Sequence, residues 1–259
     1  MFLAEKWLVA RLHYGHVDPR DAGVGNIVNC GAAMYVAPVG VVNAADPRGA
    51  YAEAIEIASA HQSSYGKEAA GAFAAAVAEA MSEGSSPTSV VDAVLGLARD
   101  GTRAAVEAVA EAASGLTEWQ SALPVLRAAV EPFDTVGPEY RAPAMDARRP
   151  SRTKSIEELP IALGLVLVAG GDYEQAVLGA VNYGRDTDSI ASMAGAVCGA
   201  MHGRGAVRDD WHDQVAEASR TPLEPAGHTM ADVALEVFAR DAERAGQRGA
   251  RRDALTGGA

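Results

Sequence analysis

Residues 182–203 read NYGRDTDSIASMAGAVCGAMHG. Asp186 and Asp188 flank Thr187 at a charged tip, and the run that follows is too apolar to face water. That contrast predicts a buried helix whose N-terminus opens on a site, with Asp188 or Ser189 as its N-cap. Ala191, Ala194, Gly195, Cys198, Ala200 and Gly203 are small enough to let neighbouring helices approach closely. Carboxylates at such a tip suit hard cations, because Mg²⁺ and Ca²⁺ both take oxygen ligands. The plainer reading of an Asp-x-Asp pair is helix capping alone.

Working outward, the next chemically suggestive segment is 21–43, DAGVGNIVNCGAAMYVAPVGVVN. Its glycines and asparagines form a loop whose backbone can approach a ligand, and Pro38 and Gly40 break any long helix. A buried turn between helices is the plainer account of the same residues. Asp46-Pro47 opens a helix, with Asp at the N-cap and Pro at N1. That helix ends near His61, a residue type at home hydrogen-bonded at a helix end. An Ala-rich helix follows from Lys67 to Met81, with Glu68 complementing the dipole of its first turn.

Ser86-Pro87 begins another helix, and helical spacing continues over Thr102–Ala113 and Ser121–Val130. Prolines then exclude long regular elements between Glu131 and Lys154. Arg148, Arg149, Arg152 and Lys154 make that stretch a solvated loop or a lid over an anionic substrate. Ser155 and Glu158 read as a capping box. The apolar helix behind them runs to Gly170-Gly171, and Asp172 begins the helix that delivers Asn182. Further helices cover Trp211–Ala218, with Asp209-Asp210 as their cap, and Ala231–Ala245.

These elements, without an alternating strand pattern, predict an all-α fold of about ten helices in one compact domain. The domain spans 1–245, and the Gly/Arg-rich residues 246–259 read as a disordered tail. Aromatic residues are only 5% of the chain although hydrophobic ones are 49%, so the core should be small-residue helix packing. The net charge of −12 argues against a nucleic-acid surface, which needs cations for phosphates. No stretch approaches the roughly 18 charge-free apolar residues of a membrane span. Two unrelated cysteines, Cys30 and Cys198, indicate no disulfide framework and fit the cytoplasm. The first residues contain Phe2, Leu3, Trp7, Leu8 and Leu12 at helical spacing without a preceding cap, as if the chain began inside a helix.

The 182–203 stretch resembles the C-terminal signature of the ADP-ribosylglycohydrolase family, which includes the dinitrogen reductase-activating glycohydrolases. That signature is an Asn-x-Gly-Gly-Asp-Thr-Asp-type loop before a small-residue helix. Here Arg185 replaces the second Gly, and Ser189 replaces a Thr while keeping the hydroxyl. The segment Asn29, Cys30, Gly31, Met34, Tyr35, Pro38 and Gly40 resembles a second family motif, with Cys30 in place of Gly and Tyr35 in place of Arg. The resemblance runs from about Gly25 to Trp211 and is most specific at Asp186-Thr187-Asp188.

The resemblance implies a Mg²⁺-dependent glycohydrolase that cleaves a glycosidic bond to ADP-ribose or a related ribosyl compound, free or on a modified protein. It implies two Mg²⁺ in a complete site, with Asp186, Asp188 and Ser189 as metal ligands and the two aspartates as catalytic residues. Asn29, Cys30, Gly31, Met34, Tyr35, His61 and Arg185 would line the substrate. The family's other half-site, an N-terminal Thr-Asp-Asp motif, does not occur in this sequence. Two readings follow: a chain missing its first quarter, or a half-sited relative that binds a nucleotide- or sugar-like ligand without this chemistry.

Overall fold

The computed structural model describes residues 3–134 and 155–257. The basic run Arg148, Arg149, Arg152 and Lys154, read as a loop or lid, lies outside the described residues. The helices in chain order are α1 Leu3–Val9, α2 Gly31–Tyr35, α3 Ala37–Val42, α4 Pro47–Ala58, α5 Ser64–Ala80, α6 Pro87–Leu97 and α7 Asp100–Ala113. They continue as α8 Trp119–Val130, α9 Glu158–Val168, α10 Tyr173–Asn182, α11 Thr187–His202, α12 Asp209–Ser219 and α13 Glu224–Thr256. No strand occurs among the described residues, and the fold is all-α.

Local chemistry sets several of these boundaries. Asp46 accepts the Gly49 N–H at 2.9 Å ahead of Pro47, and Asp172 accepts the Gln175 N–H at 2.8 Å. Ser86 and Ser89 close a reciprocal capping box around Pro87. Each cap satisfies a backbone donor that the first helical turn leaves unpaired.

Two helices form the interior. In α5 twelve residues are buried, most of them Ala or Gly. In α9 every residue but Leu167 is buried. Around α5 pack α2, α3, α4 and α6, around α9 pack α7, α8 and α10, and α11 lies against both. Small residues make this approach close: a Cβ on Gly164 would fall 2.4 Å from Val109 Cγ1, at the crossing of α9 and α7. The result for function is that the N-terminal turns of α9 and α11 meet beside α2.

Four of the differences from the sequence expectation are instructive. Ser155 does not cap α9: the helix starts at Glu158, and Ser155 stands at φ 64° with its hydroxyl unbonded. The glutamates that a capping box would use are drawn to tertiary partners described below. Neither Asp188 nor Ser189 caps α11, because the N-cap position belongs to Asp186. Asp209 and Asp210 lie inside the first turn of α12, and Arg208 precedes them.

The fourth difference is the tail. Residues 246–256, expected to be disordered, continue α13 as helix until Gly257 ends it in the left-handed region. Ala, Arg, Gln and Leu are all good helix formers, so local propensity carries this exposed end past Gly246 and Gly249. Glu68, read as a helix-dipole charge, also has a tertiary job. It accepts the Tyr51 hydroxyl at 2.6 Å and the Arg99 backbone N–H at 2.8 Å.

Candidate functional site

The turn between α10 and α11 is the first component. Gly184 and Arg185 both take left-handed backbone, at φ 83° and 60°. A side chain in that region costs about 1 kcal/mol or more, which accounts for a Gly-Gly preference at this place. Arg185 is held there by ion pairs, 2.6 Å to Asp134 and 3.2 Å to Glu157. Tyr183 donates its hydroxyl to Glu157 at 2.7 Å, while burial and the Glu157 carboxylate hold that phenol well above its usual pKa. Arg127 stacks over the Tyr183 ring and donates to the Tyr183 carbonyl. The turn is thus pinned by Arg127 of α8, by Asp134 four residues beyond that helix and by Glu157 at the entry to α9.

Asp186, the residue after this turn, directs its carboxylate across to α2. Its Oδ2 lies 3.2 Å from Cys30 Sγ, and its Oδ1 accepts from Ser189 Oγ at 2.9 Å. Those partners explain why Asp186 makes no capping bond to its own helix. Ser189 Oγ also lies 3.4 Å from Cys30 Sγ and 3.0 Å from Met34 Sδ. Glu158, from the first turn of α9, completes the group. The ligating atoms of Cys30, Glu158 and Asp186 lie within 4.8 Å of one another, with Cys30 and Glu158 buried and Asp186 half-buried. Burial, reinforced by the Glu158 and Asp186 charges, pushes the Cys30 thiol far above its usual pKa. The thiol therefore stands protonated, as a donor to Asp186.

Two carboxylates and a hydroxyl brought together from α9 and the start of α11 fit a divalent cation, which takes oxygen ligands of this kind. The thiol among them is the unusual member for Mg²⁺, a cation that binds sulfur poorly. Asp188 is exposed on the first turn of α11 and stands outside this group.

The loop before α2 forms the adjoining wall. Asn29 Oδ1 accepts from the Gly31 N–H at 2.9 Å and from Gln62 Nε2 at 2.8 Å, and the Asn29 N–H donates to Gln62 Oε1. Asn26 ties the same loop to the carbonyls of Ala4 and His61. The Tyr35 ring stacks on His61 with centroids 5.8 Å apart, and its hydroxyl lies 3.4 Å from His61 Nδ1. On the other side, His61 Nε2 is 3.3 Å from Glu5 Oε1, close enough for an ion pair though not aligned as a hydrogen bond. Burial and the Glu5 charge leave the Tyr35 phenol pushed up to about 12.

Asn29, Cys30, Gly31, Met34, Tyr35 and His61 therefore fall in one neighbourhood, joined to Asp186 and Ser189 through Cys30 and Met34. Arg185 and Asp188 do not join them: the Arg185 guanidinium is engaged by Asp134 and Glu157, and Asp188 faces solvent. Sequence reasoning took Glu158 for a cap and assigned Glu157 no role. Their signal was two charges opening an otherwise uncharged helix, since carboxylates carried into a core need partners. A cavity of about 840 Å³ lies elsewhere, between α10, α12 and α13 around Trp211, Val215 and Leu223. It is mainly apolar and holds none of this chemistry.

Residues 2–246 match the family described as ADP-ribosylglycohydrolase. A curated relative, the uncharacterized protein YegU of Escherichia coli (strain K12), is 30% identical over 184 residues, covering 70% of this chain and 52% of that protein. The chain thus spans about half the length of the curated relative it matches. No solved structure matches it. The family is one of generally metal-dependent hydrolases acting on ADP-ribosylated substrates. With helices throughout and the match extending over both walls of the site, the chain belongs to the ADP-ribosylglycohydrolase family.

Proposed function

We propose that this chain serves a Mg²⁺-dependent glycohydrolase acting on a glycosidic bond to ADP-ribose or a related ribosyl compound, free or protein-attached. The observation that carries the reading is the convergence of Asp186, Ser189 and Glu158 beside the Asn29–Tyr35 wall. When bound, Mg²⁺ (two ions in a complete site) supplies a template for the ribose hydroxyls and polarises the sugar. Asp186, Asp188 and Ser189 are the proposed ligands, and Asp188, which faces solvent in this structure, would have to turn inward to join the other two.

The residues of the chain contribute the rest. The carboxylates of Asp186 and Asp188 stabilise positive charge developing on the sugar. Asn29 and Gly31 hold the loop backbone against the substrate, Met34 and Tyr35 form its exposed rim, and His61 backs Tyr35. Arg185 acts at one remove, keeping the turn in the shape that aims Asp186. Residues 1–245 act as one helical domain. Its two free, buried cysteines suit a reducing compartment such as the cytoplasm. Among the described residues no helix is long and apolar enough to cross a membrane.

A second reading is a repurposed member that binds a nucleotide- or sugar-like ligand without cleaving it. Tyr35 stacked on His61, where the family motif carries Arg, favours it. Calorimetric titration of Mg²⁺ and then ADP-ribose, followed by assay on ADP-ribosylated protein, separates the two. Saturable Mg²⁺ binding that raises ADP-ribose affinity, with both binding and turnover lost in Asp188→Ala, is the expected result. Full activity in that variant removes Asp188 from the ligand set, binding without turnover selects the second reading, and binding of neither overturns both.

A further inference from the structure

The Cys30 position changes what the cluster offers a cation. Three elements bring their first turns together: Cys30 at the start of α2, Glu158 in α9 and Asp186 ahead of α11. Each lies on or beside a helix packed into the core, so the donors are set by the fold and not by one loop. The sulfur is not peripheral. It stands 3.2 Å from Asp186 Oδ2 and 3.4 Å from Ser189 Oγ. Ligands on a tetrahedral ion with Zn–S near 2.3 Å and Zn–O near 2.0 Å sit roughly 3.5 Å apart. The sulfur's separations from Asp186 and Ser189 are close to that span, and Glu158 has a carboxylate oxygen within 4.8 Å of the sulfur and of Asp186.

We propose that Cys30 is a direct ligand together with Asp186 and Glu158, giving the site a preference for thiophilic divalent cations such as Zn²⁺, Co²⁺ or Cd²⁺ over Mg²⁺. This rests on the metal-dependent reading of the same site but assigns it a cation class other than the Mg²⁺ proposed above. Soft thiolate selects borderline and soft ions, whereas Mg²⁺ gains little from sulfur and demands octahedral oxygen. Binding exchanges the S–H bond for a sulfur–metal bond and releases the proton to solvent. The Ser189 hydroxyl beside the sulfur, or a water, then fills the fourth position.

The test is a Co²⁺ titration followed by absorption, with competition by Zn²⁺ and by Mg²⁺. The wild-type protein should develop a sulfur-to-cobalt charge-transfer band that saturates, that Zn²⁺ abolishes and that excess Mg²⁺ leaves in place. Cys30→Ser should lose the band and lower Zn²⁺ affinity by roughly 100-fold, while Mg²⁺ affinity changes by less than about threefold. Cys30→Gly, read by circular dichroism for retained helix, should behave the same way if the Ser variant fails to fold. Cys198→Ser must keep the band.

Co²⁺ binding without a sulfur band overturns the proposal, as does a band lost with Cys198. Equal losses of Zn²⁺ and Mg²⁺ affinity in Cys30→Ser overturn it too. A band without ADP-ribose binding upholds this ligand set while rejecting the glycohydrolase reading. ADP-ribose binding raised by Mg²⁺, without a band, does the reverse.

Discussion

Helices α9 and α13 occupy opposite extremes of this molecule. The first has 11 residues and hides all but Leu167, and the second has 33 and buries only Ala234. Length therefore says nothing about which helix matters to the fold. Because α9 is surrounded on all sides, its polar first turn is forced inward, where Glu157 meets Tyr183 and Arg185 and Glu158 meets the Cys30–Asp186 pair. Helix α13 rests on α3 near its beginning and then projects, leaving Leu235, Phe238 and Leu255 exposed. The site draws its donors from buried helices because only a packed surround holds carboxylates and a thiol in one place.

That contrast can be broken experimentally. Ile161→Ala should have the largest effect, about 2–5 kcal/mol in urea unfolding, because Ile161 is fully buried in α9 and leaves a cavity. A loss under about 0.5 kcal/mol would show that α9 is not the centre of the core. Gly164→Ala should cost about 1–3 kcal/mol, since its Cβ has no room beside Val109. Pairing it with Val109→Ala sharpens the result: most of the loss should vanish in the double variant if the close crossing is its cause. Smallest is removal of residues 246–259, which should change stability by less than about 0.5 kcal/mol. A larger drop in the unfolding midpoint would mean that the far end of α13 supports the fold.

Much of the fold was legible locally. The Asp46-Pro47, Ser86-Pro87 and Asp172 starts are read correctly because capping involves residues two or three apart. The Ser155 capping box fails for the opposite reason: Glu157 is drawn to Tyr183 and Arg185, and Glu158 lies beside Cys30 and Asp186, all distant in sequence. Residues 246–256 were misjudged on composition, where Gly and Arg obscured a stretch with ample helix propensity.

By itself the sequence determined the helical class, most helix starts and the Asp186–Ser189 tip, all consequences of short-range spacing and apolar content. It also placed Asn29–Tyr35 and His61 in one neighbourhood, through a family motif. Only the tertiary structure decided that Glu158 joins Cys30 and Asp186, that Arg185 is engaged by Asp134 and Glu157, and that Asp188 faces outward. Those facts depend on how α9 and α11 cross and rotate against α2 and α5. Crossing angle and rotation are set by the summed packing of small side chains over the whole core, which no local pattern encodes.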